Sequence, residues 1–202
     1  MIVSSIRQTA PGRLTVTLEG GEEIKTTLGV VTDRRLFSGR ELDEEAVASL
    51  RLDSARALAR EKALSYVSQR QMSRKELRDK LRQKGFDEGT AESCIDWLLD
   101  HGLLDEESYA AAIVRHYAAK GYGPGRIRTE LIRRGIPREL QDDALNAMPE
   151  SDSKIDRFIA SRLRDPEDRD EVRKLTAALY RRGFSGEEIR SALRRFQADL
   201  EE

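Results

Sequence analysis

One pattern occurs three times in this 202-residue chain, and it restricts the possible folds more than any other feature. SRKELRDKLRQKGF (residues 73–86) returns as GPGRIRTELIRRGI (123–136) and as EVRKLTAALYRRGF (171–184). In each copy an apolar residue precedes a Leu by four places, and a basic residue, Gly and a bulky apolar residue follow. The anchors are Leu77, Leu81, Lys84, Gly85 and Phe86; Ile127, Leu131, Arg134, Gly135 and Ile136; and Leu175, Leu179, Arg182, Gly183 and Phe184. Spacing of four puts both anchors on one helix face, and the basic-Gly step predicts a last turn ended by a left-handed glycine. Recurrence at roughly 50 residues is the mark of stacked helical modules.

The helix starts are legible too. Ser73 with Glu76 and Ser185 with Glu188 have capping-box spacing, and Pro137 suits the first position of a helix. After each glycine stop a closing helix repeats its apolar positions, at Ile95 and Leu98, Leu145 and Met148, and Leu193 and Phe196. Gly102, Pro149 and Pro166 interrupt helices between these runs. The expected fold is mainly α: three tandem three-helix repeats in an elongated array, at 53–103, 104–149 and 150–202, because such modules bury their apolar faces against one another.

Residues 1–52 differ. Arg13 to Leu18 alternates, Gly20-Gly21 supplies turn chemistry, and Ile24, Thr26 and Leu28 resume the alternation, which predicts a hairpin. Ile2 to Arg7 adds a third strand. A three-stranded sheet needs cover on its apolar face. A short segment from Leu28 to Leu36 and a helix capped at Asp43 are expected to supply it, with a separate long helix from about Asp53 to Gln69 leading into the first repeat.

Charged residues make up 36 % of the chain and aromatics 5 %, a balance that favours a helical, surface-rich protein over a deep-pocketed enzyme. Catalysis needs converging groups, and none assemble. His101 and His116 have helix-surface or helix-end positions. The Gly121 to Gly125 stretch lacks the preceding strand and the Lys-Ser/Thr of a phosphate loop. The acids of Asp165 to Glu171 lack calcium-site spacing, and Trp97 belongs to no stacking motif. Cys94, the single cysteine, reads as a core residue, with no disulfide and no zinc spacing possible. No metal, cofactor or catalytic site is expected. Nothing near Met1 has the form of a secretory signal and no stretch could span a bilayer, so a cytoplasmic monomer without membrane contact is expected.

The net charge of −1 conceals a sorted distribution. Residues 73–84, 126–138 and 173–182 each carry a net charge of +4, whereas 87–107 carry −8 and 139–152 carry −5. A basic edge and an acidic edge running along the array are therefore expected. Lys84, Arg134 and Arg182 stand where cations complement helix C-termini. Lys75, Arg78 and Arg82 fall within about 60° of one another on the face away from the core. Arg126 and Arg133 stand at the same helical angles as Lys174 and Arg181, with Arg128 on the same helix as the first pair. These eight are the candidate partner or nucleic-acid contacts, because a cationic face suits phosphates or an acidic protein groove and is weakened by salt.

SRKELRDKLRQKGF, then GLLDEESYA (residues 102–110), then GYGPGRIRTELIRRGIP (121–137), in that order and at those separations, closely resembles the RecX family of regulators of the RecA recombinase. The resemblance is specific over about Ala55 to Leu145, looser over the third module, and the FSGRELDEE segment with the preceding strands is similar to an extension found in some members only. It implies three tandem three-helix repeats and a non-enzymatic inhibitor. Such a protein binds the RecA nucleoprotein filament along its groove, suppresses ATPase, strand-exchange and coprotease activities, and can bind single- or double-stranded DNA. A helix-turn-helix DNA-binding protein and a plain helical scaffold are the alternatives, the first disfavoured by the acidic closing helices.

Overall fold

The computed structural model describes the backbone of residues 1–148 and 152–201, and it divides into two compact units, Met1–Leu104 and Asp105–Glu202. Pro149, expected to interrupt a helix, lies outside the described residues.

The first unit opens with β1 (Val3–Ala10), β2 (Arg13–Leu18) and β3 (Glu23–Thr27), an antiparallel sheet in the order β1-β2-β3. Val16 stands opposite both Ile6 and Ile24, so the alternating apolar residues share one face. That face is closed by Leu36, Leu42, Val47 and Leu50. Leu28 does not continue the strand. The Thr27 side chain accepts the Val30 N–H and starts α1 (Leu28–Asp33), which leaves Leu28 exposed in its first turn.

Asp43 caps α2 by accepting the Ala46 N–H at 2.7 Å, and α2 then runs unbroken over Glu44–Val67. The two separate helices expected here are one, and the expected boundary at Leu52 falls inside it. Its sequence contains no Gly or Pro to stop it, and the two residues able to cap a new helix are engaged across the fold instead. Asp53 holds the Arg34 guanidinium, and the Ser54 hydroxyl donates to Thr26 Oγ1 at 2.8 Å in the interior. The first half of α2 therefore covers the sheet with Val47 and Leu50. The second half supplies Ala59 and Ala63 to the first three-helix module.

That module is completed by α3 (Arg74–Gln83) and α4 (Glu88–Asp100), around Leu77, Leu81, Ile95 and Leu98, all fully buried. The second unit holds two more modules. One consists of α5 (Glu106–Ala119), α6 (Pro124–Arg133) and α7 (Arg138–Asn146) around Ile127 and Leu131. The other consists of α8 (Asp152–Ala160), α9 (Arg169–Arg181) and α10 (Gly186–Glu201) around Leu175 and Leu179. Pro137, expected at the first helical position, is instead the N-cap of α7, and the buried Gln141 side chain donates to the Ile136 carbonyl at 2.7 Å. Both capping boxes form: Ser73 with Glu76, and Ser185 with Glu188.

The three glycine stops are the same motif. At the end of α3, Phe86 N–H bonds Leu81 O while Gly85 N–H bonds Arg82 O. Ile136 to Leu131 with Gly135 to Ile132, and Phe184 to Leu179 with Gly183 to Tyr180, repeat it. The glycines have φ of 88°, 74° and 90°, the left-handed region that a Cβ disfavours. Each stop satisfies two terminal carbonyls and returns the chain beside the helix it has left.

Gly183 has a second task. The start of α6 meets the end of α9, where Gly123 N–H donates to Arg182 O at 2.8 Å and Gly125 N–H to Gly183 O at 2.9 Å. A Cβ on Gly183 would lie 2.1 Å from the Arg126 nitrogen, and one on Gly123 would lie 2.6 Å from Gly183 O. The Arg182 guanidinium reaches the Lys120 and Gly121 carbonyls and stacks over Tyr122 and Phe158. The GYGPG stretch is thus the seat of the third module, a role its loop-like composition does not disclose.

Three outcomes are expected in calorimetry. Leu131→Ala removes a fully buried anchor and should destabilise by about 2 to 5 kcal/mol. Gly85→Ala, at a similar φ but with nothing within 4 Å of its Cβ, should cost about 1 to 2 kcal/mol for its backbone conformation alone. Gly183→Ala should cost clearly more, and equal losses for the two would refute the close approach between α6 and α9.

Candidate partner interface

The eight candidate cations are not equivalent once folded. In the first module Arg78 grips both oxygens of Glu92 of α4 through Nε and Nη2 and approaches Glu88 at 3.6 Å. This pair holds the Glu92 carboxyl below its ordinary range, with the Arg78 hydrogen bond as the main cause. Arg82 lies 3.2 Å from Glu88. In the second module Arg128 Nη1 donates to Asp142 Oδ1 at 2.6 Å. Arg78 to Glu92 and Arg128 to Asp142 both span 14 residues, because the antiparallel turn at each glycine stop sets equivalent positions of middle and closing helix side by side. The expected separate basic and acidic edges are therefore corrected: within these modules the basic helix is paired to the acidic one. The third module has Thr176 and Arg190 at the corresponding places and lacks this pair.

Arg133 is also engaged. Its guanidinium holds both oxygens of Glu130, at 2.9 and 2.6 Å, while Arg134 Nε donates to the same carboxylate at 2.6 Å and reaches the Tyr109 hydroxyl. Glu130 is only 7 % exposed. The hydrogen bond from Arg133, helped by that from Arg134 and opposed by burial, brings its carboxyl down from 4.5 to about 2. Arg134, expected to serve the helix end, instead ties α6 to α5 through Tyr109, and Arg182 serves the carbonyls of the neighbouring module.

Lys75, Arg126, Lys174 and Arg181 are exposed, and among the described residues they carry no side-chain ion pair or hydrogen bond. Three of these four lie on α6 and α9. The locked start of α6 places Arg126 beside the end of α9, on a groove of about 600 Å³ lined by Arg126, Thr129, Tyr180, Arg181, Ser185 and Glu188. Charge counting also passed over two exposed apolar residues on the same helices. Tyr180 is 53 % exposed, and Ile132, at the equivalent place of the second module, is 59 % exposed. Both stand one residue before an arginine of the expected stripe. Their signal was available in the repeat alignment, as apolar residues off the anchor face.

The remaining chemistry-bearing residues have structural positions. His101 ends α4 with Nδ1 at 2.7 Å from the Trp97 carbonyl, and His116 is exposed in the last turn of α5. Cys94 is buried in the first module, where burial pushes its thiol up to about 11. Asp168 caps α9, and Glu171 accepts the Arg164 and Asp165 N–H groups, which accounts for acids of the Pro166 loop. Among the described residues, no group of three His, Cys, Asp or Glu could hold a metal, and no helix is long and apolar enough to cross a membrane.

These features define a class: tandem three-helix modules whose middle helices bury one face and present cations and isolated apolar residues on the other. Comparison with known proteins names the class. The family descriptions "RecX, first three-helix domain", "RecX, second three-helix domain" and "RecX, third three-helix domain" match residues 59–98, 105–145 and 159–193. The regulatory protein RecX of Xanthomonas axonopodis pv. citri is 38 % identical over 137 residues, covering 66 % of this chain and 85 % of the relative. That of Halorhodospira halophila is 33 % identical over 147 residues, covering 69 % and 88 %. A crystal structure of regulatory protein RecX superposes with a TM-score of 0.77 at 27 % identity over 98 % of both chains, and one of RecX from Lactobacillus salivarius with 0.65 at 25 % over 71 % of this chain and 97 % of the other. The chain belongs to the RecX family, and its family role is that of a regulatory protein.

The Glu130 pair makes a prediction about acid. Its folded value lies below its ordinary one, so its stabilising contribution is present above about pH 4.5 and is lost as pH falls toward 2. The parent should lose melting temperature through that window more steeply than Glu130→Gln, and parallel pH profiles would count against the geometry.

Proposed function

We propose that this chain is a non-enzymatic negative regulator of RecA. It binds the RecA nucleoprotein filament and inhibits its ATPase, strand-exchange and coprotease activities, and so tunes recombination, DNA repair and the SOS response. It acts in the cytoplasm as a monomer, without cofactor or membrane. The partner comes from the motif resemblance and the family membership. The contact surface is argued from one observation: Arg126 and Arg181 remain exposed and unpaired beside Tyr180, and Lys174 is exposed and unpaired on the same helix as Tyr180, whereas Arg78, Arg128 and Arg133 are bound to acids of their own modules. Arginine and tyrosine are the residue types that most often dominate binding energy, and unpaired charges steer association without first breaking an internal pair. Contacts repeated on linked modules add as linked sites do.

A second reading has its own support. An exposed Tyr180 flanked by Arg126 and Arg181 has the composition of a single-stranded nucleic-acid contact, with an aromatic face for a base and cations for phosphates.

The test is charge reversal of the three together: Arg126→Glu, Lys174→Glu and Arg181→Glu. Arg133 is excluded, since reversing it would place a second carboxylate against buried Glu130. Exposed charges contribute little to stability, so circular dichroism and melting should stay close to the parent. Inhibition of RecA ATPase on single-stranded DNA should be largely lost, and added salt should weaken the parent in the same assay. Glu139→Lys with Asp143→Lys is the control, expected to matter less; Asp142 is left intact because it holds Arg128. A folded triple variant that inhibits as well as the parent would place the contact elsewhere. If inhibition survives but DNA binding is lost, the nucleic-acid reading takes over this surface.

A further inference from the structure

The first unit contains an uncompensated pair of arginines that the filament-binding reading does not use. Arg56 and Arg60 stand four residues apart on one face of α2, and both are half-buried. Their Nε atoms are shut off from solvent without a hydrogen-bond partner, and among the described residues neither guanidinium forms an ion pair. A native interior seldom leaves such donors unmatched, and a half-buried charge without a counter-charge is raised in energy.

Both side chains line a cleft of about 310 Å³ between α1 and α2, shared with Arg34, Asp33, Asp53 and Thr27. The acids lining the cleft do not neutralise them. Asp53 is held by Arg34, whose Nε donates to Oδ2 at 2.9 Å, and Asp33 is exposed and forms no ion pair. Arg60 is steadied by lying over the Trp97 ring, 4.9 Å from its centroid. A cation stacked in this way has its planar face fixed and keeps its N–H edge for an acceptor. The cleft thus gathers three guanidinium groups, of which one is satisfied internally.

We propose that the cleft between α1 and α2 is a binding site for a phosphate group, held by Arg56 and Arg60. Guanidinium groups match the oxygens of phosphate two at a time. The outer nitrogens of both arginines, unlike Nε, are not shut off from solvent, and no acid among the described residues occupies them, so both can close on one oxyanion in the cleft. The volume lies at the small end of ligand sites, which suits a phosphate group with little of the molecule that carries it. The phosphate belongs either to a free nucleotide or to the backbone of a nucleic acid. The site lies in the first unit and shares no residue with the cationic surface of α6 and α9, so the two proposals stand or fall separately.

The full-length protein tests this by phosphorus NMR. Inorganic phosphate should broaden on addition of the parent, and the parent should melt higher in phosphate than in chloride of equal ionic strength. Arg56→Gln, which leaves the Arg60 stack on Trp97 in place, should weaken phosphate binding by about tenfold or more, on the order of one lost charge-assisted fork. Arg56→Gln with Arg60→Gln should abolish it. The triple Glu variant of the α6 and α9 surface should bind phosphate as the parent does. Displacement by adenosine monophosphate assigns the site to nucleotides, and displacement by an oligothymidylate assigns it to a nucleic-acid backbone. If neither displaces it, the ligand is free phosphate. Absence of any phosphate-specific effect on the parent, or an equal effect on the folded Arg56→Gln variant, overturns the site.

Discussion

Each module depends on how its middle helix ends. The two hydrogen bonds of the glycine stop consume terminal carbonyls that would otherwise need water, and they reverse the chain within three residues. The bulky residue after the glycine, Phe86, Ile136 or Phe184, is thereby turned into or against its module's core. The reversal also sets the distance between middle and closing helix, and with it the salt bridges between them. Arg78 to Glu92 and Arg128 to Asp142 form at equal separation because the same turn precedes both.

That geometry sorts the cations. A basic helix packed beside an acidic one loses much of its field to its neighbour, so a local net charge of +4 says little about what is available to a partner. Availability is decided at single positions. Glu130, at the place of Lys80 in the first module, draws Arg133 and Arg134 inward. Arg126 and Lys174 stand where the first module has Glu76, which is occupied in its capping box with Ser73. The modules share a scaffold but not a surface.

The amino-terminal sheet is joined to the first module by one continuous helix. Its cover, Val47 and Leu50, and the first contribution to the module core, Ala59 and Ala63, follow one another along α2. Arg13 to Glu61 and Arg51 to Glu22 add ion pairs between sheet and helix. The sheet is therefore fixed to the first module through a rigid element, which also forms one wall of the arginine-lined cleft.

From the sequence alone came the elements governed by local chemistry: the triplicated helix with its buried anchors, the capping boxes at Ser73 and Ser185, the glycine stops and the hairpin around Gly20 and Gly21. Each is written within a few residues, by spacing, by a hydroxyl before a carboxylate, or by a residue able to take positive φ. The exposure of Lys75, Arg126, Lys174 and Arg181 was legible because surface position follows from helical angle. Long-range matters were not. That Asp53 and Ser54 would face Arg34 and Thr26 instead of starting a helix, that Gly123 and Gly183 would meet backbone to backbone, and that Arg78, Arg128 and Arg133 would be claimed by acids depend on which helix lies beside which. Those choices are made by packing between segments tens of residues apart, where a single side chain has several possible partners and only the folded chain selects one.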